Sequence, residues 1–307
     1  MTRITHRTVQ DSTMANLQRN LAAMSGLQEQ LSTGKKINRA SDDPTGAVSV
    51  LQVRSDLRTS EQYSRAADDG VGWLGTIDGA LQNTSSRLQR AQELTLRALN
   101  SGAMGESSRT AIAAEVRGIK DDLLGQANTK YLGRSVFAGT SGDARAFATA
   151  PPYAYADTGA GSDAPVGTGG TVERRVAAEA VVQVDSDGRA VFGQGDGSVF
   201  TLLDDIADAV VQKPGSLPLA DLLGKLQGRM TAVTDEVSSV GARYGRVQGA
   251  KQAADDAVLK LQTSLADVES IDLPKTIVNL QMQEVAYKAA LGATAKVLQP
   301  SLLDFIR

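Results

Sequence analysis

The residues of this chain that could do chemistry crowd into one stretch, Ser32 to Ala47, which reads STGKKINRASDDPTGA. It holds Gly34-Lys35-Lys36, Ser41 and the adjacent carboxylates Asp42 and Asp43. A phosphate-cradling loop requires G-x-x-x-x-G-K-[ST] between a strand and a helix. Here Lys36 stands where the hydroxyl residue belongs, Glu29 replaces the first glycine, and both flanks have helical spacing. Asp42 and Asp43 could share a hard cation, but the sequence offers no further spaced acidic ligands nearby. A structural account fits the stretch better. Gly34 ends one helix in the left-handed conformation, Ser41, Asp42 or Asp43 caps the next, and Pro44 takes its first turn. The acidic pair also complements the positive end of that helix dipole. The stretch is expected to be a corner between helices.

Other candidates are weaker. VDSDGRAVFGQGDG resembles a calcium loop loosely, but counted from Asp185 its fifth position is Arg189 and Gly188 falls two residues early. A hairpin turn at Asp187-Gly188 is the expected reading, joining strand-like EAVVQVD to RAVFG. His6 is the only histidine and has no partner cluster, so it reads as a solvated terminal residue. Tyr244 and Tyr287 read as packing residues, and Asp204-Asp205 and Asp255-Asp256 as solvated faces or caps. There is no cysteine, which removes disulfides and thiolate chemistry. No nucleophile, base and oxyanion donor assemble. The expectation is no enzyme, no metal and no cofactor.

What positions these residues is a helical periodicity. From Met230 through Val233, Val237, Val240, Tyr244, Val247, Ala254, Val258, Leu261 and Leu265 to Val268, apolar residues alternate three and four apart, interrupted at Lys251. Such a seam predicts a long helix packed coiled-coil fashion. Leu74 to Ala98 carries a second seam, and a third helix is expected over roughly Ser107 to Tyr131. Aromatics make up 4% of the chain, which points to thin packing of Ala, Leu and Val rather than a rounded aromatic core. From about Leu132 to Pro214 the heptads stop and Gly, Ala, Thr, Asp and Pro take over. The net charge of −3 gives no basic excess toward nucleic acid or anionic membranes. No apolar run approaches the roughly 20 residues of a membrane span.

Both ends repeat the seam. Met14, Leu17, Leu21, Met24 and Leu31 keep it at the N-terminus; Ile277, Leu280, Tyr287, Leu291 and Leu298 keep it at the C-terminus. Asp43-Pro44 ends one arm, and Pro274 in IDLP interrupts the other. The expected fold is mainly α, an elongated antiparallel helical bundle or coiled coil formed by N- and C-terminal segments, with a small inserted β-rich outer domain. Its expected parts are terminal arms (1–43 plus 271–307), a helical bundle (44–131 plus 215–270) and the insertion (132–214). Each arm is too short to be stable alone, so ordering is expected to accompany assembly with other chains.

These residues resemble the bacterial flagellin family. LQEQLSTGKKINRASDDPTGA is similar to that family's LSTG-x-x-I-N-x-x-x-DD-x-x-G-x signature. Ser41 and Pro44 in ASDDPTGA, YLGRSVFAGT (131–140) and the ending LQPSLLDFIR resemble the branch that joins hook to filament more than the branch that forms the filament. The resemblance implies a secreted structural protein of the bacterial flagellum, serving motility. It implies type III export without a cleaved signal peptide, with a chaperone on the C-terminal arm. The implied partners are a ring of like subunits, the first hook-associated protein and flagellin, with no nucleic acid and no membrane insertion. A flagellin forming the filament itself is the alternative; a cytoplasmic coiled-coil scaffold is a reading of another class.

Overall fold

The computed structural model describes residues 6–100, 105–141, 145–155, 170–212 and 217–298. They form seven helices: α1 (His6–Thr33), α2 (Pro44–Asn100), α3 (Glu106–Ala127), α4 (Gly188–Phe192), α5 (Val199–Gln212), α6 (Leu217–Glu269) and α7 (Leu273–Leu298). Two antiparallel two-stranded sheets complete the described residues, β1 (Lys130–Tyr131) with β2 (Arg134–Ser135) and β3 (Glu173–Arg175) with β4 (Val181–Gln183). The fold is mainly α, a helical bundle with a small β region. The chain divides into two compact units, one of Met1–Thr59 with Ala257–Arg307, the other of Ser60–Asp256. The arm limits expected at 43 and 271 fall inside the first.

In the Ser60–Asp256 unit the α2 seam is buried throughout: Leu74, Ile77, Leu81, Thr84, Leu88, Ala91, Thr95 and Ala98. Thr84 and Thr95 keep their hydroxyls satisfied by donating one turn back, to the Ala80 and Ala91 carbonyls at 2.8 and 2.7 Å. On α3, Ile112, Val116, Ile119 and Leu123 are buried, and α5 packs on that helix. Lys120–Asp204 at 2.8 Å and Arg117–Asp208 at 2.6 Å fix the pair. On α6, buried Val233, Val240 and Val247 alternate with half-buried Met230, Val237 and Tyr244.

The segment between α3 and α6 departs from expectation in three ways. First, α3 ends at Ala127, and Tyr131 belongs to β1. Leu132 (φ 48°) and Gly133 (φ 83°) form the two-residue turn to β2, the left-handed pair that hairpins favour. Second, Asp187-Gly188 is not a hairpin turn, and RAVFG is not a strand. The Asp187 carboxylate accepts the Arg189 amide at 2.9 Å and caps α4 instead, the other geometry that Asp offers. Third, an aromatic core exists. Phe137, Phe147, Phe192 and Phe200 are fully buried and pack among themselves and with Tyr153 and Tyr155 at centroid distances of 5.1–5.8 Å. A low overall aromatic fraction concealed how strongly these rings concentrate in one place.

A buried polar network anchors this segment to α6. Asp185 accepts the Val172 amide at 2.9 Å, and its carbonyl accepts Arg243 Nη1 at 2.6 Å. Arg243 Nη2 pairs with Glu236 at 2.6 Å, and Ser186 Oγ donates to the same carboxylate at 2.8 Å. Burial pushes the Asp185 carboxyl above the ordinary carboxylate range, against the pull of the Val172 amide and Arg243.

Candidate assembly site

The stretch that opened the sequence analysis lies in the unit of Met1–Thr59 and Ala257–Arg307. α1 ends at Gly34, whose φ of 70° closes the helix while its amide donates to the Gln30 carbonyl at 2.8 Å. Asp43 Oδ1 accepts the Gly46 amide at 2.9 Å and caps α2, with Pro44 as the first helical residue. Asp42 caps no helix; its Oδ2 gathers the amides of Asn38 and Arg39 at 3.1 and 2.8 Å and shapes the loop. Among the described residues no group of three or more His, Cys, Asp or Glu could hold a metal ion, and no helix is long and apolar enough to cross a membrane.

The cations of the stretch hold chain segments together. Lys35 bridges to Ser270, the Lys36 amide donates to the Glu269 carbonyl at 2.6 Å, and the Ile271 amide to the Gly34 carbonyl at 3.2 Å. The Glu269 carboxylate, in a residue 7% exposed, takes Lys35 Nζ at 3.2 Å and the Arg54 guanidinium. Glu269 and Arg54 were not singled out in the sequence, where Glu269 is one of three acids in LADVESIDLP (265–274) with nothing to distinguish it. Pro274 stands in the first turn of α7, where its missing N–H costs nothing, and Asp272 caps that helix by accepting the Lys275 amide at 3.1 Å.

From this corner α1 and α7 run antiparallel and pack on one another; Gln283 Nε2 reaches the Asn20 carbonyl and Oδ1, both at 3.3 Å. Leu17, Met24 and Leu31 on α1 and Leu280 and Tyr287 on α7 are half-buried. Met14, Leu21, Ile277 and Leu291 of the expected seam stand exposed, at 59%, 49%, 39% and 43%. The Leu298 and His6 side chains lie outside the described residues. The half-buried line on α1 runs Thr13, Leu17, Asn20, Met24, Leu27, Leu31, so Met14 and Leu21 sit one residue off it. A further stripe went unread in the sequence: Val278, Met282 and Val285, four and three apart on α7, are 53–67% exposed. α7 thus carries apolar rows on two faces, and α1 covers one.

Residues 4–142 match the bacterial flagellin N-terminal helical region, and hook-associated protein 3 of Escherichia coli is 23% identical over 92% of this chain and 95% of its own length. Over residues 4–142 the chain is similar to the bacterial flagellins. The flagellin of Bacillus subtilis is 33% identical, but over 45% of this chain and 46% of its own length; the chain spans about half of that relative. Flagellar hook-associated protein 3 of Salmonella typhimurium is 23% identical over 99% of this chain and 100% of its own. Of solved structures, flagellar hook-associated protein-3 from Legionella pneumophila superposes with a TM-score of 0.60 at 14% identity, covering 71% of this chain and 98% of that one. Bacillus cereus FlgL gives 0.57 at 21% identity, covering 70% and 99%. The fold is theirs.

Proposed function

We propose that this chain is a structural subunit of the flagellar hook–filament junction. The observation that carries the reading is coverage: hook-associated protein 3 of Escherichia coli and of Salmonella typhimurium aligns with 92% and 99% of this chain, whereas the flagellins of Bacillus subtilis and Escherichia coli align with 45% and 36% of it. A flagellar filament core protein of Treponema maltophilum, aligned with 87%, keeps the filament alternative in the test. The terminal arms, 1–43 and 271–307, are the assembly region, the helical segments 44–131 and 215–270 form the body, and 132–214 is an inserted outer domain. The arms supply apolar rows that α1 and α7 alone do not cover, and a neighbouring copy covers them in a ring of like subunits. The first hook-associated protein lies on one side of that ring and flagellin on the other. The chain reaches the cell exterior through the flagellar type III apparatus, with a chaperone shielding the exposed stripe of α7 in transit. It is not an enzyme.

Immunogold electron microscopy of isolated flagella tests the placement. Label confined to a band between hook and filament is the expected result. Label along the filament would replace this reading with a filament flagellin.

A further inference from the structure

Trp73, the one tryptophan of the chain, sits in α2 with 2% exposure, and its indole Nε1 has no acceptor among the described residues. A buried N–H left unpaired is costly and calls for an explanation. Two guanidiniums lie over its ring, Arg134 of β2 and Arg174 of β3, each 5.8 Å from the centroid. They arrive from separate sheets, so no single strand pattern produces the convergence. Arg174 is held by Asp69 at 2.6 Å. Arg134 is exposed, and among the described residues no carboxylate pairs with it. Two cations share one counter-ion here, in a chain whose net charge is −3. Beside Arg134, Leu132 stands 81% exposed at the hairpin tip.

We propose that Arg134, Arg174 and Trp73 form a docking site for a carboxylate side chain on an acidic segment of a neighbouring protein. Guanidinium forks match carboxylate geometry with two parallel N–H···O bonds. Among the described residues Arg134 has no charged partner to surrender, so it can swing off the indole face and take an incoming carboxylate. The occupant is a protein segment rather than a free ion because exposed Leu132 stands in the same hairpin two residues from Arg134, and a small oxyanion gains nothing from an apolar neighbour. The site goes beyond the junction reading, and its test uses the isolated chain, so either can fail alone.

The site contains its own reporter, since all tryptophan emission comes from Trp73. Titration of the full chain with a hexaglutamate peptide is expected to give a saturable change in that emission, weakening as NaCl rises. Arg134→Gln, an exposed change, is expected to weaken the response by at least about tenfold, and Arg134→Lys to fall between. Circular dichroism confirms that each variant is folded. The proposal is overturned by no response to hexaglutamate, by an equal response in Arg134→Gln, or by an equal response to hexalysine. Saturation by inorganic phosphate at matched ionic strength, without a response to the peptide, would overturn it in favour of a free oxyanion site.

Discussion

Glu269 closes the corner of its unit with one carboxylate set against Lys35 and Arg54. Glu269→Gln keeps the side-chain shape but removes the charge that both cations use. We expect it to loosen the corner by about 1–2 kcal/mol, read as roughly five- to thirtyfold faster exchange of the Lys36 and Ile271 amides. Unchanged exchange at both would show that the pair contributes nothing. Gly34→Ala is governed by strain alone, because its φ is 70° and open space surrounds the added Cβ. It should cost about 1–2 kcal/mol in urea unfolding of that unit. Asp185 contributes an acid-side pH dependence to the other unit. Its folded-state carboxyl is raised above the ordinary 3.8, so the folded chain binds the proton more tightly than the unfolded chain. The corresponding stability is present below 3.8 and is lost as pH rises through the raised value. Asp185→Asn is expected to remove that slope in denaturation followed by Trp73 emission, while its amide oxygen still accepts from Val172. A slope identical to the parent's would place its origin elsewhere.

At the scale of elements, the outward stripe of α7 separates folding from assembly. Val285→Glu replaces a side chain 67% exposed, so circular dichroism of the isolated chain should be unchanged and stability within about 0.5 kcal/mol. Incorporation into flagella, scored by complementation of a deletion strain, should be lost. Full incorporation would remove this face from the assembly surface. Because the arms α1 and α7 pack on each other with mostly half-buried residues, residues 10–31 and 277–298 should exchange much faster in the monomer than Leu74 to Leu94. Equal protection would sink coupled ordering. The long helices were legible because eight seam positions of α2 fall on one face, and tertiary packing simply uses that face. The register of α1 was not, since Leu17 and Leu21 both fit a three-four alternation and only the partner helix selects between lines. Asp187 was misread because the same Asp-Gly pair can turn a hairpin or cap a helix. Glu269 was invisible for another reason: its partners Lys35 and Arg54 lie more than 200 residues away in sequence.

For the whole molecule, the sequence signature around Ser32 to Ala47 pointed to the family, while the chemistry of that stretch pointed nowhere beyond a corner. The two agree: its charged residues are spent on chain geometry, and the proposed assembly is left to the exposed apolar rows beyond the corner. The insertion was legible as a break in the heptads, but not its aromatic core, because four phenylalanines spread over Phe137 to Phe200 have no local period. The central claim is that this chain is the adaptor on which the filament grows. Deletion of its gene, followed by electron microscopy of the cells and an assay for flagellin in the medium, tests this most directly. The account predicts hooks without filaments and flagellin released unassembled. Filaments that persist, or filaments lost with no flagellin in the medium, would contradict it.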